Sequence, residues 1–465
     1  MPAYLSESKR LRMLTLCGLY VAQGVPWGFV TVTFAAWLAK PEHKLSLDQI
    51  GPMLAVASLP WSFKFVWGPL MDKYTIPRMG RRRPWIIFAQ SMAILVLGAM
   101  AFIPDLPSMV WTEPDTGNSL LRFAFRLVPG PLAAMILLAN IFVSIQDVAV
   151  DALAVDLLDE EERGVANGLM YGSSYLGTAI GGAGLGLLVA YFGIRAGLIG
   201  QAAILFLIML LPIMIKERPK NAAMQPSPKL SPESPFSESP VASDNSPYQS
   251  PVAALSTEND SVMGNLVKAF SLRATLLAVA VALGVKIGIG VLTAVFVDYL
   301  MKDGGWTQEN YTTVTGGYAV MLGLGGSALG GFLADRFGAK PMIALTSILL
   351  GVVWISFGLI PRAISAKLAV TGLLISQEFI LAVLSVSLFS LFMAVSWPRV
   401  AATQFTTYMA LMNLSTTIGS YTAGLVNDSF NIHQILILAG VLQIVMIAPV
   451  LFIDPKQTRR LLGNS

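Results

Sequence analysis

Five ionisable side chains lie inside segments otherwise apolar enough for lipid: Lys64, Asp147, Asp151, Lys286 and Glu378. A charge in a bilayer is costly, so each needs an opposite partner or a water-lined cavity, and each is a functional candidate on that ground. Helical rise converts spacing into depth. At 1.5 Å per residue, Lys64 lies about 12 Å in from Asp72 and Asp147 about 14 Å in from Asp156. This predicts a Lys64–Asp147 pair, with Asp151 one turn below Asp147 on the same helix face. Lys286 and Glu378 share a second depth, about 24 Å from that side, which predicts a second pair. Such pairs can tie helices together; where a solute or proton competes for one member, they can gate.

Two loops repeat one pattern. Gly68-Pro69-Leu70-Met71-Asp72-Lys73 leads to Gly80-Arg81-Arg82-Arg83, and Gly331-Phe332-Leu333-Ala334-Asp335-Arg336 leads to Gly338 and Lys340. Each joins two long apolar segments. The glycine permits close helix approach, and an aspartate at a helix end can pair with a basic group or helix N-terminus of an opposite bundle. Asp72, Asp335 and Arg336 are therefore expected to latch one end shut and release it. Arg81 to Arg83 are assigned to topology. Gln23, Gly24 and Pro26 mark a break in the first apolar segment that exposes a carbonyl. Gln23, Trp27, Gln146, Lys286, Glu378, Gln404 and Tyr408 are the expected solute contacts.

The elements that must hold these residues follow from composition. Mean hydropathy is +0.66, and only 12% of residues are charged, against about 25% in soluble proteins. Apolar windows place twelve helices near 12–39, 48–72, 84–103, 129–156, 162–190, 196–216, 270–301, 309–335, 341–360, 366–394, 399–427 and 432–453. With the N-terminus inside, 21 Lys and Arg fall in inner segments against 8 in outer ones, which predicts cytoplasmic termini. Net charge of +4 is spread over short loops, so nucleic acid is not an expected partner. The lone Cys17 and the two histidines, His43 and His433 in loops of opposite halves, assemble neither a nucleophile triad nor a metal site. No cofactor, no metal and no enzymatic activity are expected. Ser-Pro steps crowd residues 219–262, which suits a disordered tether.

The glycine–aspartate–basic loops resemble the signature loop of the major facilitator superfamily. Within it, several stretches are similar to the muropeptide permease and acetyl-CoA transporter family. They are Gln23-Gly24-Val25-Pro26, Phe63-Lys64-Phe65-Val66-Trp67-Gly68-Pro69-Leu70-Met71-Asp72, Ile145-Gln146-Asp147-Val148-Ala149-Val150-Asp151-Ala152, Glu161-Glu162-Arg163-Gly164 and Ala402-Thr403-Gln404-Phe405. The resemblance implies an all-α membrane protein with twelve transmembrane helices in two six-helix bundles, 1–218 and 266–465, joined by a cytoplasmic linker at 219–265. It further implies a monomeric multi-pass permease of the plasma membrane, or the inner membrane of a bacterium. Such a permease moves a small polar or anionic organic solute by alternating access with proton symport. Muropeptide-like or acyl-CoA-like cargo is expected; a siderophore, sugar or drug carrier and a non-transporting membrane sensor are the alternatives. Lys64, Asp72, Asp147, Asp151, Asp335 and Arg336 are the residues expected to carry proton coupling or gating.

Overall fold

The computed structural model describes residues 4–67, 70–71, 74, 76, 79–110, 128, 130–158, 160–217 and 262–463. Asp72 and most of the 219–265 linker lie outside them. The described residues form twelve long helical segments: α1 (Lys9–Leu38), α2 (Leu47–Ser62), α3 (Arg83–Phe102), α4 (Pro131–Leu157), α5 (160–192), α6 (Ile194–Met214), α7 (Arg273–Lys302), α8 (Gln308–Phe337), α9 (Ala339–Leu359), α10 (Lys367–Val395), α11 (Ala401–Ser429) and α12 (432–452). Ten helices are long and apolar enough to cross a membrane unaided. The other two spans are α2, which ends at Ser62, and α11, which carries Thr and Asn along its length. These two make the most extensive helix contact in the chain, with each other and across the halves. Polarity is tolerated there because protein replaces lipid.

The halves use the same packing plan. In the first, α1 packs on α5, α3 on α6, and α4 on both α2 and α3; in the second, α7 packs on α11, α9 on α12, and α10 on both α8 and α9. Glycines set the seams. A Cβ on Gly24 of α1 would stand 3.0 Å from Gly177 Cα of α5, and a Cβ on Gly290 of α7 would stand 3.0 Å from Gly419 Cα of α11. Such backbone approach replaces the hydrophobic drive that lipid removes.

The caps repeat as well. Gly80 (φ +103°) and Gly338 (φ +89°) precede α3 and α9 in backbone conformations that suit glycine. Arg83, at the start of α3, donates to the carbonyls of Pro212 and Ile213 at the end of α6. Lys340, at the start of α9, donates to Leu451 and Ile453 at the end of α12 at 2.8 and 2.9 Å. Arg82 pairs with Asp156 at 3.0 Å. The Glu217 carboxylate accepts the backbone N–H groups of Arg81, Arg82 and Arg83 at 2.9, 2.9 and 2.5 Å. Two of these arginines also have structural partners: Arg82 and Arg83 are buried, Arg82 paired with Asp156 and Arg83 satisfying carbonyls at the end of α6 that would otherwise be left open.

Uniform apolar windows also conceal breaks. The helix predicted at 48–72 ends at Ser62 and passes into a tight turn at Lys64–Val66. That predicted at 270–301 is interrupted at Val285 and Lys286, where the Lys286 N–H donates to Ser415 Oγ of α11 at 3.1 Å. Wide π turns interrupt α1 at Phe29–Phe34, α5 at Ile180–Gly184 and α8 at Thr313–Ala319. Carbonyls loosened in α5 are recovered by Thr33, whose hydroxyl donates to Gly181 and Gly182 at 2.8 Å each. Val262–Phe270 is helical, with Ala269 buried against Trp397 and Val400.

Between the halves, hydrogen bonds cluster from mid-depth to the end remote from the termini. Lys302 Nζ reaches Leu45 O at 2.6 Å, Gln308 reaches Thr33 O at 3.5 Å, and Tyr191 OH donates to Glu309 at 3.0 Å. Nearer the middle, Ser58 meets Thr417 at 2.8 Å and Tyr175 meets Ser327 at 3.0 Å. At the remote end a Cβ on Gly182 would stand 2.7 Å from Gly316 Cα.

Leucine at Gly24 or Gly290 is expected to lower stability by about 1–3 kcal/mol through overpacking. Gly98→Leu, where an added Cβ meets nothing within 4 Å, is expected to melt like the parent. Thermal unfolding of the three variants in detergent checks this, and equal melting temperatures would contradict the glycine seams.

Candidate functional site

Three helices build the first charged cluster. Lys64 sits in the turn that ends α2, where the chain leaves helical geometry at Phe63 (φ −119°, ψ 13°), and this turn carries it to α4. Lys64 Nζ lies 3.4 Å from Asp147 Oδ2, with side-chain exposures of 22% and 2%. The spacing argument thus brought the right residues together. One turn along α4, Asp151 accepts a hydrogen bond from the Tyr20 hydroxyl of α1. Trp67 Nε1 donates to Ser144 Oγ at 3.2 Å, and Ser144 Oγ donates to Pro60 O at 3.2 Å, pinning α2 to α4 on either side of the turn. The inventory holds two carboxylates, one ammonium and a neutral phenol, so a single negative charge is unmatched unless a proton joins it. Tyr20 and Ser144 had no distinctive sequence signal: a hydroxyl in an apolar span looks like any other until its neighbour is known.

The second cluster spans both halves. Glu378 of α10 lies beside Gly323 of α8, with its Cγ and Oε1 3.2 and 3.5 Å from where a Cβ on that glycine would stand. Tyr175 of α5 comes within 3.3 Å of the same point and bonds Ser327 of α8. The predicted closed pair is not formed, however. Among the described residues no ion pair within 4.0 Å joins Lys286 to Glu378, since the α7 break fixes the lysine backbone on α11 rather than on α10. Tyr175 was missed, although a tyrosine far from a span end signals a hydroxyl in need of a partner.

The remaining expected contacts divide. Gln23 is half-buried on α1. One turn on, Trp27 packs edge-on against Trp61 of α2, with ring centroids 5.4 Å apart, giving an aromatic wall. Gln146, Gln404 and Tyr408 instead lie in the joints between helices. Gln146 donates to Leu19 O at 3.2 Å and is 1% exposed. Gln404 accepts from the Trp397 N–H at 2.9 Å and donates to Thr275 and Tyr408 at 3.0 Å each. Tyr408 stacks near Phe392 with centroids 4.8 Å apart. Every polar atom of the Gln404 side chain is thus occupied, which leaves little for a solute. Asp335 is exposed and opens onto a groove of about 220 Å³ between α8 and α10, lined by Phe332, Val386, Phe389 and Met393. Arg336 lies over the Phe337 ring at 5.8 Å. Among the described residues no group of three or more His, Cys, Asp or Glu could hold a metal ion.

Removing one member of the Lys64–Asp147 pair leaves the other charge buried, at a cost of about 3–5 kcal/mol. Lys64→Met alone is expected to melt well below the parent, and Lys64→Met with Asp147→Leu to recover most of the loss. A double-mutant cycle on thermal stability checks this, and additive losses would contradict coupling.

Comparison with known proteins places this geometry. The chain is 31% identical over 187 residues to "Anhydromuropeptide permease" of Escherichia coli (strain K12), covering 40% of this chain and 33% of that protein. It is 30% identical over 179 residues to "Putative transporter AmpG 4" of Rickettsia conorii, covering 38% of each. The matches thus span about a third of the length of these curated relatives. The fold is similar to a crystal structure of a D-xylose-proton symporter, with TM-score 0.67 at 13% identity, covering 97% of this chain and 99% of that one. The profile of the Major Facilitator Superfamily matches residues 16–405, more than half of the sequence. The chain belongs to the Major Facilitator Superfamily of membrane transporters.

Proposed function

We propose that this protein is a proton-coupled carrier of a polar, muropeptide-like solute, working by alternating access with both termini in the cytoplasm. The observation that carries the proposal is the Lys64–Asp147–Asp151–Tyr20 cluster. Two carboxylates facing one ammonium in a low-dielectric site favour uptake of a proton by one of them. With Lys64 held by Asp147, Asp151 is the carboxylate left to take it. Its proton renders the cluster neutral and free to move as a packed unit; its loss restores a net negative charge. Tyr20 steadies the ionised form by donating to Asp151.

The cross-half contacts support a state closed to the outside. Lys302, Gln308 and Tyr191 seal the remote end, while the exposed Asp335 marks the other. Asp335 and Arg336, together with Asp72 beyond the described residues, would form the inner latches when the bundles rock. The excess of Lys and Arg in the loops on the terminal side supports cytoplasmic termini, and with them a place in the plasma membrane, or the inner membrane of a bacterium. Muropeptide-like cargo is favoured over acyl-CoA-like cargo by a permease among the relatives whose name states that substrate.

The test is uptake of labelled anhydromuropeptide into proteoliposomes. A pH gradient, acid outside, is expected to drive accumulation by the parent. Asp151→Asn is expected to reduce gradient-driven accumulation to background while exchange between preloaded and external solute persists. Accumulation by Asp151→Asn equal to the parent's would remove Asp151 from the proton path; absence of both uptake and exchange in the parent would remove the cargo.

A further inference from the structure

The two bundles repeat each other's packing, but one place is filled differently. In the second bundle Trp354 of α9 is fully buried, and its indole Nε1 donates to the side-chain carbonyl of Gln377 of α10 at 3.0 Å. In the first, Leu97 of α3 stands as far beyond Arg83 as Trp354 stands beyond Lys340, and Arg83 and Lys340 are matched by the helix-end carbonyls they bind. Asn140 stands in α4, within one residue, where Gln377 stands in α10. Leucine supplies neither the volume nor the N–H donor of the indole.

A cavity lies at that place. It is walled by α1, α3, α4 and α6, with Pro26, Phe29, Leu97, Met100, Asn140 and Gln201 on its surface, and has about 20 Å³ of room for the centre of a water molecule. One water needs roughly 10–15 Å³ by that measure, and it needs polar partners, since a purely apolar cavity stays dry. Two amides supply them. Gln201 is 2% exposed and Asn140 3%. Gln201 Oε1 finds no hydrogen-bond partner among the described residues, and a buried amide carbonyl left so is costly. Asn140 Nδ2 donates to Ile136 O at 2.9 Å, which leaves the second N–H of that amide for another acceptor. Pro26, on the same wall, removes the N–H that the carbonyl of Ala22, one turn earlier, would accept. Ordered water is one of the means by which membrane helices tolerate such a break.

We propose that this cavity is a resident water site of the first bundle. The water donates to Gln201 Oε1, as the Trp354 indole donates to Gln377, and accepts from the Asn140 amide. The wide turn at Phe29–Phe34 of α1 borders it, so an exchangeable molecule stands beside the break in α1 where the second bundle is closed by a fixed ring. The site depends on packing within one bundle and holds whichever solute is carried.

The test is X-ray radiolysis of the purified full chain, in which hydroxyl radicals form from bound water in place and oxidise the side chains next to it. Met100 lines the cavity and is 3% exposed; Met342 of α9, 5% exposed, is the reference. Met100 is expected to be oxidised several-fold faster than Met342 in the beam, while hydrogen peroxide added in bulk oxidises both at similar, slow rates. Leu97→Trp, which places the ring of the second bundle in the first, and Gln201→Leu, which removes the acceptor, are each expected to bring Met100 down to the rate of Met342. Either variant suffices should the other fail to fold. Radiolysis of Met100 no faster than that of Met342 in the parent, or a Met100 rate unchanged in a folded variant, would overturn the water site. So would rapid oxidation of Met100 by peroxide, which would make the cavity part of the open solvent.

Discussion

A charge at membrane depth must be matched within a few ångströms, by a partner, by water or by something transported, and the placement of helices in this chain follows that requirement. Helix α2 stops at Ser62, and the turn that follows is tied to α4 through Trp67 and Ser144. The same logic governs the loops. Arg82 and Arg83 sit at the membrane boundary yet are buried, because Asp156 and the last carbonyls of α6 take up their donors. Glu217 is placed where backbone N–H groups converge at the start of α3, a position that favours negative charge.

Close packing answers a second constraint. Lipid tails are as apolar as the helix faces, so association depends on backbone approach and on hydrogen bonds recovered across seams. Glycines in α1 and α5, matched in α7 and α11, make those seams rigid within each half. Between halves a glycine approach recurs at Gly182 and Gly316, and hydroxyl pairs are added to it. The α2–α11 and α5–α8 contacts pair helices that correspond under the repeat, since α2 matches α8 and α11 matches α5. Hydroxyl pairs such as Ser58–Thr417 and Tyr175–Ser327 join them.

Much of this was legible in the sequence. Duplicated loops and twelve apolar windows carried the fold, because lipid forces every span to be helical and about the same length. A shared depth counted from charged inner ends named the Lys64–Asp147 pair, although Lys64 sits in the turn after α2 and not on a continuous helix. The rest was hidden for identifiable reasons. Hydropathy is blind to the break at Lys286, which depends on Ser415 from another helix, and so a shared depth with Glu378 was taken for contact. Gln146, Gln404 and Tyr408 looked like pocket residues because amides and phenols in apolar spans can serve either a solute or a joint; only the partners Leu19, Trp397 and Thr275 decide between them. The partners of Arg82 and Arg83 were hidden in the same way, since Asp156 and the end of α6 are distant in sequence.

The asymmetry between the two charged clusters is what makes the repeat useful. Two identical halves would respond identically to a proton or a solute, and neither event would depend on the other. Here the first half holds its lysine closed and keeps a spare carboxylate, while the second holds its lysine apart from its only carboxylate partner. The two halves meet through Tyr175, which touches the second cluster from the first half. The two clusters are thus differently balanced and are joined through one closely packed pair of helices, since Tyr20 stands on α1 and Tyr175 on α5.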